Sequence, residues 1–170
     1  MNKILFVVIL LSAFCLASCS SNKKLSKKES AAGLSQKLDI PVGKKDDLEL
    51  YTETAQWLGT PYRYGGNTRA GVDCSGFVCN IYKDVYGIKL ERTVAGMYKA
   101  NCHKISRNKL KPGDLVFFNT AKTKKSLSHV GIYLKDDTFI HATTSSGVRT
   151  SKLTEPYYKK RWISGGKVKR

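Results

Sequence analysis

Of the five cysteines in this 170-residue chain, Cys74 has the surroundings a nucleophile needs. It follows Asp73 and opens a stretch, Cys74 to Tyr86, in which Phe77, Val78, Ile81, Tyr82 and Val85 recur at helical spacing. A side chain at a helix start sits among unpaired backbone N–H groups, at the positive end of the helix dipole. Both favour a thiolate, so the spacing predicts a lowered thiol pKa. The chemistry open to such a sulfur is attack on a carbonyl carbon, given a base within hydrogen-bond reach. By itself the placement favours a structural role, because buried helical cysteines are common.

The chain has three histidines, and two of them, His129 and His141, fall on neighbouring extended segments at an even separation. With a three-residue turn at Lys135 to Asp137, Leu134 pairs with Thr138 and His129 with Thr143. Both imidazoles then share one face as diagonal neighbours, about 7–8 Å apart at the backbone. A two-residue turn would put them on opposite faces. A Cys–His–His constellation therefore requires a loop of odd length. Each histidine alone reads as structural, whereas the pair read with Cys74 is catalytic.

The elements that must hold these groups are legible from periodicity. Leu48, Tyr51, Ala55 and Leu58 predict a helix over Asp47 to Leu58, ending at Gly59. A loop of turn formers, Thr60 to Asn67, leads to the Cys74–Tyr86 helix, with Asp73 at its N-cap and Gly87 at its C′ position. Thr93 to Ala100 reads as a short third helix capped by Thr93. After Pro112-Gly113 the pattern becomes extended: Leu115 to Phe118, His129 to Leu134, Thr138 to Thr144, Val148 to Leu153 and Arg161 to Val168 are the predicted strands. Helices first and strands afterwards give an α+β domain whose N-terminal helices pack on a small antiparallel sheet.

The N-terminus bears on location. Lys3 precedes a nearly unbroken apolar run from Ile4 to Ala17, short of the roughly 20 residues a membrane-spanning helix needs. The run suits a cleaved signal peptide over residues 1–18. Leu16-Ala17-Ser18-Cys19 closely resembles the lipobox of bacterial lipoproteins, which implies acylation of Cys19 and a stable membrane anchor. An ordinary cleaved signal, with Cys19 incidental, is the plainer alternative. Residues 19–46, rich in Lys and Ser, read as the lipidated cysteine and a basic flexible tether, and 47–170 as one catalytic domain.

The formal net charge of +17 would suggest nucleic acid for a cytosolic protein, but the export signal argues against it. Anionic lipid head groups and carboxylate-bearing wall polymer are the better partners. Cys74, Cys79 and Cys102 remain in the domain. With no C-x-x-C pair, no metal site is expected. Cys79 and Cys102 read as buried apolar cysteines, with a disulfide between them the alternative.

The ordered blocks resemble a known family. Gly59-Thr60-Pro61-Tyr62-Arg63-Tyr64-Gly65-Gly66 and Gly71-Val72-Asp73-Cys74-Ser75-Gly76-Phe77-Val78 are similar to the signature of NlpC-type cell-wall cysteine peptidases. Leu110 to Phe118 and Ser128 to Tyr133 match its later blocks, and the short lipoprotein layout is similar to Spr-like murein endopeptidases. The resemblance implies a papain-like fold and hydrolysis of an amide bond in peptidoglycan stem peptides or their cross-links, with no cofactor. It implies Cys74 as nucleophile, His129 as general base, His141 as the residue that orients His129, and Tyr62 as an oxyanion donor. Asp73 and Ser75 align with residues lining the pocket for the stem peptide. The protein so read is a monomer anchored at the periplasmic face of the outer membrane. A catalytically idle wall-binding or scaffolding protein on the same fold is a competing reading, as is another papain-like thiol acyltransferase.

Several residues take a plainer reading. Cys102 beside His103 reads as a loop position, Asp114 as a turn residue, and Trp57 and Tyr64 as core or groove wall. Arg69, Arg92 and Arg149 could each meet a substrate carboxylate, with surface solvation the default.

Overall fold

The computed structural model describes residues 29–120 and 127–169. The expected signal peptide, residues 1–18, and Cys19 lie outside the described residues, as does part of the tether. Among the described residues, no helix is long and apolar enough to cross a membrane.

The described residues open with helix α1 (Ala31–Leu38). Ser30 caps it by accepting the Gly33 N–H at 3.1 Å, and Asp39 ends it in the left-handed region. Leu34 and Leu38 are fully buried and Ile40 nearly so. The flexible stretch expected over 19–46 is thus corrected for residues 29–46. Too few apolar positions occur there to stand out among lysines and serines, yet they close the core beside α2 (Leu48–Gln56). Lys135 adds an ion pair to Asp46 at 2.9 Å.

Asp47 caps α2 through the Leu50 N–H, as its position suggests. A small ribbon follows, β1 (Asn67–Thr68) and β2 (Gly71–Val72), leading into α3 (Cys74–Tyr86). The third helix is only partly α-helical: α4 (Val94–Gly96) continues as a π-helical turn, Met97–Asn101. Next come β3 (Cys102–Ile105), β4 (Leu115–Phe118), β5 (His129–Lys135), β6 (Thr138–Thr143) and β7 (Gly147–Lys152). A short α5 (Pro156–Arg161) precedes β8 (Trp162–Val168). The six-stranded sheet is antiparallel, in the order β3-β8-β4-β5-β6-β7.

The sheet is covered on both faces. Leu115, Phe117, Val130, Ile132, Leu134, Ile140 and Ala142 join α1, α2 and α3 in the larger core. The alternate residues Val116, Phe118, Phe139 and Tyr133 meet Tyr158 of α5 in a smaller core on the other side. This period of two assigns each strand residue to one core or the other.

The β5–β6 hairpin reaches the expected register by an unexpected route. Its turn has two residues, Asp136 and Asp137, both with positive φ (49° and 59°), and Lys135 pairs with Thr138. Such a primed turn matches strand twist. The register then slips by one residue between Tyr133 and Lys135, so that Tyr133 faces Phe139 and Ile132 faces Ile140. The extra residue in β5 restores the odd offset that a two-residue turn removes. His129 and His141 therefore share a face, as the constellation requires.

Candidate active site

Asp73 builds the start of α3. Its carboxylate accepts the Gly76 N–H at 2.6 Å and, on its other oxygen, the Gly65 N–H at 2.9 Å. Gly76 is needed for a steric reason: a Cβ there would lie 2.3 Å from the Gly66 carbonyl oxygen. The helix start is thereby pressed against the preceding loop, and Cys74 projects from its first position.

The sulfur belongs to the larger core, while His129 and His141 lie on the strand face turned toward the smaller one. They meet at the end of the sheet, where β5 begins. The backbone N–H groups of Val130, Ser75 and Cys74 are all hydrogen-bonding neighbours of the thiol. Gly131 permits the approach of β6, because a Cβ there would lie 3.1 Å from the His141 Cβ and 2.8 Å from the Phe139 ring.

One cavity of about 390 Å³ is lined by Tyr62, Cys74, His129, His141, Arg149 and Tyr158, among others. Within it, His129 Nε2 and His141 Nδ1 are 2.7 Å apart. His141 is fully buried, and its Nε2 is 3.2 Å from Ser151 Oγ and 3.3 Å from the Tyr158 hydroxyl. One tautomer pattern satisfies the chain and leaves a base. In it, His129 Nε2–H donates to His141 Nδ1, His141 Nε2–H donates to the Ser151 or Tyr158 oxygen, and His129 Nδ1 keeps a lone pair. Ser151 and Tyr158 carry no signal in the sequence. Ser151 is an ordinary strand serine, and Tyr158 arrives on a six-residue helix with no periodicity to read.

The electrostatics correct one expectation. Burial pushes the Cys74 thiol up, and nearby Asp73 adds to this, outweighing the Val130, Ser75 and Cys74 N–H groups. Burial likewise lowers the His129 pKa to about 4 and His141 well below its ordinary value. The resting pair is therefore neutral thiol and neutral imidazole. Tyr62 keeps its proton too, its pKa raised by burial and by the neighbouring sulfur.

Asp73 and Ser75 do not line this cavity. Arg92 takes them both, with Nη1 at 2.8 Å and Nη2 at 2.9 Å from the two Asp73 oxygens, and Nη1 at 2.6 Å from Ser75 Oγ. Burial pushes the Asp73 carboxyl up, but Arg92, the Gly76 N–H and Ser75 together hold it below the usual carboxylate range. Arg92 thus spends its guanidinium on the chain's own carboxylate, although its side chain stays 42% exposed. Arg69 is also engaged, with Glu53 at 2.9 Å and over the Trp57 ring at 4.5 Å. Trp57 is core, but Tyr64 is 91% exposed rather than a wall residue. Asp114 accepts the Lys111 N–H at 2.8 Å in its turn. Cys79 and Cys102 are free thiols, the latter buried in β3 rather than set in a loop. Among the described residues no group of three His, Cys, Asp or Glu side chains could hold a metal ion.

Residues 59–167, which contain every one of these groups from Tyr62 onward, match the NlpC/P60 family. The chain belongs to that family. It is 41% identical over 163 residues to the probable endopeptidase NlpC of Escherichia coli K12, covering 96% of this chain and 99% of that protein. It is 40% identical over 119 residues to the murein DD-endopeptidase MepS/murein LD-carboxypeptidase of the same strain, covering 70% of this chain and 61% of the relative. The crystal structure of an NlpC/P60 family protein from Bacillus cereus superposes with a TM-score of 0.64 at 30% identity, over 70% of this chain and 39% of that one. The NlpC/p60 domain of peptidoglycan hydrolase SagA gives 0.60 at 28%, over 70% and 96%. The NlpC/P60 architecture, α+β and papain-like, accounts for the Cys74 helix lying against an antiparallel sheet that carries both histidines.

Proposed function

We propose that the chain is a peptidoglycan endopeptidase that hydrolyses an amide bond of the stem peptide or its cross-link through Cys74, His129 and His141. The observation that carries this reading is the 2.7 Å His129–His141 hydrogen bond in the cavity that Cys74 and Tyr62 also line. Family membership supports the same conclusion.

His129 Nδ1 takes the thiol proton as the sulfur attacks the scissile carbonyl carbon. Because both partners rest neutral, transfer and attack are coupled. The Tyr62 hydroxyl and the Cys74 backbone N–H donate to the oxyanion. The imidazolium returns its proton to the amine as the C–N bond breaks, leaving a thioester on Cys74. Water, deprotonated by His129, then attacks the thioester, releasing the carboxylic acid and the thiol. His141 is neutral and orients His129; it supplies no negative charge of the kind an aspartate would.

Digestion of purified muropeptides followed by mass spectrometry tests the reading. Wild type releases a fragment whose mass identifies the bond cut, and Cys74→Ala releases none. Equal digestion by the two proteins removes Cys74 as nucleophile. We infer also that Cys19 carries the lipid that holds the protein at the envelope, at the periplasmic face of the outer membrane. Incorporation of labelled palmitate that persists in Cys19→Ala would overturn the anchor.

A further inference from the structure

Arg149 stands on β7 directly opposite His141 in the ladder, so the two side chains share a face. It is exposed, and among the described residues it is the one Lys or Arg lining the cavity with Cys74. Arg63 does not line the cavity, and three other arginines are already occupied: Arg69 by Glu53, Arg92 by Asp73, and Arg107 by Asp137 at 3.0 Å. Arg161 lies over the Tyr157 ring at 3.8 Å. Arg149 has no ion pair among the described residues. Its Nε donates to the Thr150 carbonyl at 3.0 Å, which leaves the two terminal nitrogens for another partner. A guanidinium held by Nε presents a planar fork that matches the two oxygens of a carboxylate.

Arg149 shares its rim with Glu155, which receives the Lys152 N–H at 2.6 Å. Both residues also line an adjoining concavity of about 340 Å³ with Asp39, Thr138 and Lys152. The catalytic groove thus continues past Arg149 into a second polar hollow with room for more of a peptide.

We propose that Arg149 is the carboxylate-recognition residue of this groove, gripping the free carboxylate beside the scissile amide of the stem peptide. The inference rests on the peptidase reading and adds the substrate group it selects. Both candidate bonds supply such a group. A γ-glutamyl linkage runs through the side chain and leaves the α-carboxylate free next to the reacting unit. In the D-alanyl–diamino acid cross-link, the carbon bearing the scissile nitrogen carries its own carboxylate.

The test uses two soluble stem-peptide substrates, identical except that this carboxylate is free in one and amidated in the other. Wild type, Arg149→Gln and Arg149→Lys are compared for kcat and KM on both. Wild type prefers the free acid by about ten- to a hundred-fold in kcat/KM, chiefly through KM, as expected for a charge-assisted hydrogen bond. Arg149→Gln brings the ratio of the two substrates close to one, and Arg149→Lys restores part of it. A ratio that persists in Arg149→Gln overturns the inference alone. So does an equal fall in kcat on both substrates, since Arg149 would then act through His141. Absence of Cys74-dependent cleavage of either substrate by wild type overturns the peptidase reading and this inference with it.

Discussion

Two hollows on this protein invite comparison. The larger, about 940 Å³, lies by β3, β8 and the Pro112–Gly113 turn, lined by Lys109, Lys111, Lys167, Lys169 and His103. The smaller, about 390 Å³, holds Cys74, His129 and His141. The lysine-lined hollow is roomier and mostly basic, with Asp114 and Tyr82 also in its wall, but no cysteine lines it and so no thiol meets a base there. The cysteine nearest it, Cys102, is buried, and its pKa is pushed up to about 12 by burial and by Asp114. The smaller hollow joins unlike groups of matched hydrogen-bonding order: a thiol, an acceptor nitrogen, a second imidazole and two hydroxyls. What singles out the smaller hollow as the proposed site is the convergence of donors and acceptors, not volume or charge.

The contrast can be broken at several points. The largest effect is expected at the two thiols. Cys74→Ala should lose all detectable muropeptide cleavage, while Cys102→Ala should keep wild-type turnover in the same assay, and loss in both would erase the distinction. Next, His129→Ala should lower kcat by about 10²–10⁴-fold, the usual contribution of a positioned base. His141→Gln, which can still accept from His129 Nε2–H, should retain more activity than His129→Ala. Steady-state rates showing the reverse order would exchange their roles.

The pH profile sharpens the same contrast. As the proposed base His129 acts when neutral, and burial lowers its pKa to about 4. Activity should therefore persist well below the ordinary imidazole pKa of about 6.5 and fall only as pH drops through about 4 in a kcat/KM profile. An acid limb centred near that ordinary value would mean that substrate-free His129 is solvated. The smallest effect is reserved for the other hollow. Replacing Lys167 and Lys169 by Gln should change kcat/KM on a soluble stem peptide by less than about twofold, because neither lines the catalytic cavity. A tenfold change would tie the basic hollow to catalysis.

Much of the site is legible in the sequence, and the reasons differ by residue. The Cys74 helix and its caps are set by contacts within one turn: Asp73 to Gly76, and Gly87 in the left-handed region at φ 66°. Such short-range terms sit in a window of a few residues. The helix over Asp47 to Leu58 and the strands from Leu115 onward follow from periodicity for the same reason. The helix α1 is not legible in this way, because its few apolar residues acquire meaning only against α2. Nor is β3, a four-residue edge strand whose sole ladder partner, β8, lies some sixty residues away in sequence.

The sequence alone determined three things about this protein: a cysteine at a capped helix start, two histidines an even number of residues apart, and the ordered blocks around them. Tertiary structure decided the rest. It supplied the bulge that keeps both histidines on one face despite a two-residue turn, and the burial that leaves Cys74 and His129 neutral. It also gave Arg92 to Asp73, and left Arg149 facing the groove. The bulge is settled within one hairpin, but the others depend on groups far apart in the chain and on water excluded when they meet. Desolvation and long-range partners exist only once the chain has closed on itself.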